Sequence, residues 1–166
     1  DCWKIEDSCL KLKCIRQRLD DDLEQMKMDG ILADDKYVAF VSRRQCAMDA
    51  VITAAVKFYP EGQESAGIAA VQAMNHQIHI ERACEDGKQV VRVVVITADY
   101  IQPPYFPGFT STTNREIICS EAYDKSEIIL QLDMQHEDFC IRYGESEEEL
   151  KELCRIDGAV LNPEKV

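Results

Sequence analysis

Between Glu127 and Gln135 every second residue is large and apolar: Ile128, Leu130, Leu132 and Met134 alternate with Ile129, Gln131, Asp133 and Gln135. Successive side chains of an extended chain point to opposite faces, so this period of two demands a strand with one face in a core. The same period runs through Ala50, Ile52, Ala54, Val56 and Phe58. The alanines there would suit a helix. The β-branched residues between them, and the Pro60-Glu61-Gly62 stop, decide for a strand.

Further strands follow the same logic. Leu10, Leu12 and Cys14 alternate with Lys11 and Lys13 after a Glu6-Asp7-Ser8 turn, and Trp3-Lys4-Ile5 precedes that turn. Helical spacing of Ile5, Cys9, Leu12, Ile15, Leu19 and Leu23 competes there. The two-strand reading is preferred, with any helix confined to about 20–28 and stopped by Asp29-Gly30. Short strands are also expected over 37–41, 67–71, 115–122, 139–143 and 156–161. His76–Ala83 and Lys88–Thr97 flank Asp86-Gly87, a dipeptide that tolerates the positive φ of a hairpin turn. Val90, Val91, Val93, Val94 and Val95 form the nearly continuous apolar run of a strand covered on both faces. Asp124-Lys125-Ser126 is read as the turn of a second hairpin, and Ser146 with Glu149 as the cap of a short helix over about 147–153. Many short strands at regular spacing with little helix predict an all-β, two-sheet antiparallel sandwich. The 166 residues are expected to form a single domain, 1–166.

Charge narrows the partners. Nineteen Lys and Arg stand against 31 Asp and Glu, a formal charge of −12, with no basic cluster to offset it locally. Such a surface repels phosphate backbones and anionic lipid, so neither nucleic acid nor a membrane is an expected partner. No apolar run reaches the roughly 20 residues that span a bilayer. The chain opens on Asp1 without a leader, and is read as a piece of something longer. Eight cysteines, none spaced as C-x-x-C, give no zinc-ribbon or thioredoxin pattern. Cys14, Cys119 and Cys140 fall inside strand candidates at core-like positions, and no Asn-x-Ser/Thr sequon is present. Reduced thiols and a cytoplasmic location are therefore expected, with a secreted, disulfide-bonded protein as the alternative.

In order, several segments resemble the C-terminal module of family-43 glycoside hydrolases, the β-xylosidases and α-L-arabinofuranosidases. Trp3 before Leu10-Lys11-Leu12 is similar to the module's opening. Arg43-Arg44-Gln45 matches its Arg-Arg-Gln signature, and Phe58-Tyr59-Pro60 leads into Glu64-Ser65-Ala66-Gly67-Ile68, similar to its acidic-Ala-Gly-aliphatic step. Asn75 with His79-Ile80, Phe139–Tyr143 and Leu150–Leu161 resemble its later strands. The likeness covers roughly 3–161. It implies a concanavalin-like sandwich and a parent enzyme whose separate five-bladed propeller carries the catalytic carboxylates. A pair of Asp/Glu groups in that propeller inverts the sugar centre, and none of them lies in this chain. The module's implied role is to pack on the propeller and shape its pocket. The implied partners are that propeller and an oligosaccharide from xylan or arabinan.

The chain itself is therefore expected to be non-catalytic and to need no cofactor. Arg43, Arg44 and Gln45 either contact the propeller or sugar rim through planar guanidinium forks, or bond backbone within the domain. Tyr105 and Phe106, stiffened by Pro103, Pro104 and Pro107, either face a partner or plug one end of the sandwich. A carbohydrate- or protein-binding module on the same fold is the alternative. A weaker one is a cysteine hydrolase using Cys46 and His136, against which a buried thiol and a turn histidine are the simpler reading. His76 and His79 lie three apart, on opposite faces of a strand, which argues against a metal site.

Overall fold

The computed structural model describes residues 3–15, 17–21, 39–73, 75–100 and 111–161. They fall into two compact units, Asp1–Arg44 and Gln45–Val166.

In the first unit, β1 (Trp3–Glu6) and β2 (Cys9–Leu12) form an antiparallel hairpin. Asp7 and Ser8 both take positive φ, 53° and 61°, the geometry of a two-residue turn whose twist matches its strands. Trp3 faces Leu12 and Ile5 faces Leu10, so the hairpin has one apolar face, and all four side chains are exposed. Lys4 and Lys11 both pair with Glu6 on the other face. The strand candidate through Cys14 stops short, because β2 ends at Leu12 and leaves Cys14 exposed. The helix expected over 20–28 lies, beyond residue 21, outside the described residues. The strand expected over 37–41 is not formed across 39–41, where exposed Phe40 and Val41 have no ladder to join.

The second unit is built from eight strands: β3 (Ala50–Lys57), β4 (Ala66–Ala73), β5 (His76–Glu85), β6 (Lys88–Tyr100), β7 (Ser111–Ala122), β8 (Glu127–Gln135), β9 (Asp138–Gly144) and β10 (Lys151–Asp157). They pair antiparallel in two sheets ordered β10-β9-β8-β3 and β4-β5-β6-β7. The Ala-rich segment is extended, with Ala50 opposite Met134 and Val56 opposite Ile128. Between the sheets lie Ile78, Ile80, Val91, Val93 and Val95 from one side and Ile128, Leu130, Leu132, Met134, Ile141 and Tyr143 from the other. Fully burying each such aliphatic contributes about 1.5–3 kcal/mol, the main force holding the layers together.

The Asp86-Gly87 turn forms as expected, with φ of 49° and 77°, and sets Glu85 opposite Lys88. The expected second hairpin does not form: β7 pairs with β6, whereas β8 pairs with β3 and β9. Residues 123–126 are an arch between sheets. A turn signature flanked by strands cannot distinguish an arch from a hairpin, and burial of the β8 stripe decides it. The expected helix at 147–153 shrinks to a single 3-10 turn, Glu147–Glu149, because Lys151 onward joins β9 as a strand. The closing strand lies earlier than expected, and Gly158–Leu161 make a 3-10 turn whose Val160 and Leu161 pack on the core.

Two carboxylates link this sandwich to pH. The Asp133 carboxyl is held below its usual range by the Gln135 amide and by Arg142, whose Nη1 lies 3.0 Å away. The Glu121 carboxyl is lowered by the Tyr143 hydroxyl at 2.6 Å and by Lys151. With folded values depressed, their stabilisation is complete above the unfolded carboxylate range near 4 and lost as pH falls through the lower folded values. Melts between pH 7 and pH 2.5 are expected to show a flat Tm at first and a steady fall below about pH 4.5. A Tm unchanged at pH 3 would contradict this assignment.

Candidate functional site

Glu81 and Arg82 of β5 are buried, and Arg92 of β6 is largely so. Turn register places Glu81 opposite Arg92 on the face of the β4–β7 sheet turned away from the core. Gln77, His79, Val94 and Ile96 share that face and are buried, as is Glu81. The valine run is thus covered on both faces, as its composition requires.

A connected polar network occupies this face. Arg92 donates from Nε and Nη2 to Glu81 Oε1 at 2.9 and 2.7 Å, and from Nη1 to Glu85 at 3.0 Å. Arg115, on β7, reaches Glu81 Oε1 at 3.3 Å. Ser65 donates to Glu81 Oε2 at 2.8 Å and Ser120 to Glu85 Oε2 at 2.9 Å. His79 Nε2 lies 2.7 Å from the Gln77 amide oxygen. Burial works against the charge of Arg92, but Glu81 and Glu85 outweigh it and raise its pKa. Two acids and two arginines balance each other in place. Both oxygens of Glu81 already have donors, which suits a rigid internal cluster better than proton transfer.

Gly67 makes room for this arrangement. A Cβ there would overlap the Ile80 carbonyl oxygen and lie 2.8 Å from Glu81 Cα. The Ala66-Gly67-Ile68 step therefore lets β4 close on β5 beside the Glu81 carboxylate.

The residues singled out from sequence are elsewhere. Arg43, Arg44 and Gln45 are exposed in irregular chain ahead of β3, with the first two in the first unit and Gln45 in the second. Gln45 donates to the carbonyls of Ala47 and Met48 at 2.7 and 3.3 Å. Tyr105 and Phe106 lie outside the described residues. Cys46 is exposed rather than buried, because it precedes β3 instead of joining a ladder. His136 occupies the β8–β9 turn with φ 58°, its ring 3.0 Å from Asp49. Nothing in this exposed arrangement supports a cysteine hydrolase. His76 and His79 are both buried, and among the described residues no group of three or more His, Cys, Asp or Glu side chains could hold a metal ion. No described helix is long and apolar enough to cross a membrane.

Sequence reasoning missed the Glu81–Arg92 network. Its signal was present: counting outward from Asp86-Gly87 pairs 85 with 88 and therefore 81 with 92.

Two antiparallel four-stranded sheets enclosing an apolar layer define a concanavalin-like β-sandwich. Residues 23–166 match the model of the β-xylosidase C-terminal concanavalin A-like domain, and the chain belongs to that family, associated with family-43 glycoside hydrolases. A search of curated proteins gave no match. Membership of a family of C-terminal domains implies a catalytic domain as partner.

Proposed function

We propose that this chain is a non-catalytic accessory domain that packs on the catalytic propeller of a family-43 glycosidase and helps shape its pocket. Its substrates would be oligosaccharides from xylan or arabinan. The family match over residues 23–166 carries the reading. The β1–β2 hairpin supports it. Trp3, Ile5, Leu10 and Leu12 share one apolar face that a two-stranded hairpin does not sustain in water without cover, which fits a packing role. The exposed Arg43 and Arg44 are proposed as contacts to the propeller or the sugar rim. A cytoplasmic location belongs to the same proposal, supported by Cys84, Cys119, Cys140 and Cys154, which sit wholly or partly buried in strands as small hydrophobes.

The chain alone is expected to release no nitrophenol from 4-nitrophenyl β-D-xylopyranoside or α-L-arabinofuranoside. It is also expected to give no measurable heat when titrated with xylotetraose. The full-length enzyme should hydrolyse one of the two glycosides, and deleting this segment should lower kcat/KM by about tenfold or more, a barrier change of about 1.4 kcal/mol per tenfold. Tight xylotetraose binding by the isolated chain would establish an autonomous binding module instead. Turnover by the isolated chain would overturn the non-catalytic assignment.

A further inference from the structure

We propose that Cys119 and Cys154 form a reversible disulfide that ties the two sheets of the sandwich together. Cys119 lies on β7, the outer strand of one sheet, where it pairs with Val93 and faces the interior. Cys154 lies on β10, the outer strand of the other sheet, where it pairs with Ile141 and also faces inward. The two strands run close together, both side chains pack on the shared core, and the thiols hydrogen-bond to one another. Thiols within hydrogen-bond reach of one another need only a small adjustment to bond. Cys140, by contrast, faces away from the core and bonds the Glu152 carboxylate at 3.4 Å, and Cys9 is exposed on the β1–β2 hairpin.

The pair also has an order of reaction. Cys119 accepts hydrogen bonds from the Cys154 thiol and the Val93 backbone N–H, which lower its pKa against the opposing effect of burial. Cys154 is pushed up, first by giving its hydrogen to Cys119 and then by burial. The proposed exchange has Cys119 as the attacking thiolate. It displaces one thiolate from a small-molecule disulfide such as oxidised glutathione, leaving a mixed disulfide on Cys119, and the departing thiolate takes up a proton. With the Cys119 sulfur bonded, the hydrogen bond that held the Cys154 proton is gone. Cys154 loses its proton to solvent, attacks the Cys119 sulfur and expels the second glutathione. Two protein thiols are oxidised by two electrons and the small disulfide is reduced to two thiols.

The closed loop spans about 36 residues, for which the chain-entropy account gives a rise in Tm of roughly 10 °C on oxidation. The reduced chain, incubated with excess oxidised glutathione and quenched by alkylation, should yield a peptide linked between Cys119 and Cys154, with a Tm rise reversed by dithiothreitol. Cys154→Ser should stall with glutathione on Cys119, and Cys119→Ser should lose both the link and the Tm rise. A linkage map of the wild-type chain stands even if a variant fails to fold. Absence of the linked peptide, a link between other cysteines, or a Tm lowered by oxidation would overturn the proposal.

Discussion

Replacing Arg82 with alanine is expected to lower the unfolding free energy by about 3 kcal/mol, measured as a shift in urea midpoint at unchanged slope. Arg82 is fully buried on the inner face of β5, opposite Val91. Among the described residues no carboxylate bonds it. Nη1 donates to the Val90 carbonyl at 2.8 Å and Nη2 to the Lys125 carbonyl at 2.9 Å, while the guanidinium lies 4.8 Å from the Tyr123 ring centroid. Burial lowers its pKa, opposed by Tyr123, Tyr59 and Asp124. Alanine would leave two carbonyls without these donors at about 1–3 kcal/mol each, remove a cation–π contact, and open a cavity. Relief of the buried charge offsets part of that sum. Arg82→Lys keeps the charge but not the fork that spans both carbonyls, so about half the loss is expected. If Arg82→Ala unfolds within 1 kcal/mol of the parent, the arch is not held by this side chain.

The Gly67→Ala variant is expected to lose a comparable amount, about 3 kcal/mol. The added methyl meets backbone, the Ile80 carbonyl and Glu81 Cα, and neither can rotate away. Overpacking of this kind costs typically 1–3 kcal/mol, and the strand displacement needed here puts it at the upper end. Amide exchange should locate the damage, with protection lost first along β4 and the facing amides of β5. Wild-type exchange rates in that ladder would sink the prediction. Gly87→Ala makes a useful contrast: no neighbour crowds its Cβ, so any loss there reports the positive φ alone.

Strand identity was legible where one side of the chain is dry. The alternation in 127–135 and 50–57 emerged as the pairing of β8 with β3, and the valine run as a doubly covered strand. Pairing partners were less legible. Asp124-Lys125-Ser126 has the composition of a hairpin turn, yet its strands belong to different sheets, and the difference depends on Arg82, more than forty residues earlier, capping the Lys125 carbonyl. The polar network was missed for a related reason. Charges alternating along a strand suggest a wet face, and only the register fixed by Asp86-Gly87 shows that Glu81 and Arg92 neutralise each other. The Cys119–Cys154 contact had no local signal, because it joins strands of different sheets.

The pairing of β3 with β8 has a kinetic consequence. Lys57 meets Glu127 at 2.7 Å from 70 positions away in the chain, so a ribosome must deliver most of the chain before β3 has a neighbour. Until then Val51, Ile52 and Val56 form an unpaired apolar ribbon. Such long-delayed closure slows folding and lengthens exposure to wrong partners. Nascent-chain yield should therefore depend on chaperone supply more steeply than the finished domain's stability would suggest.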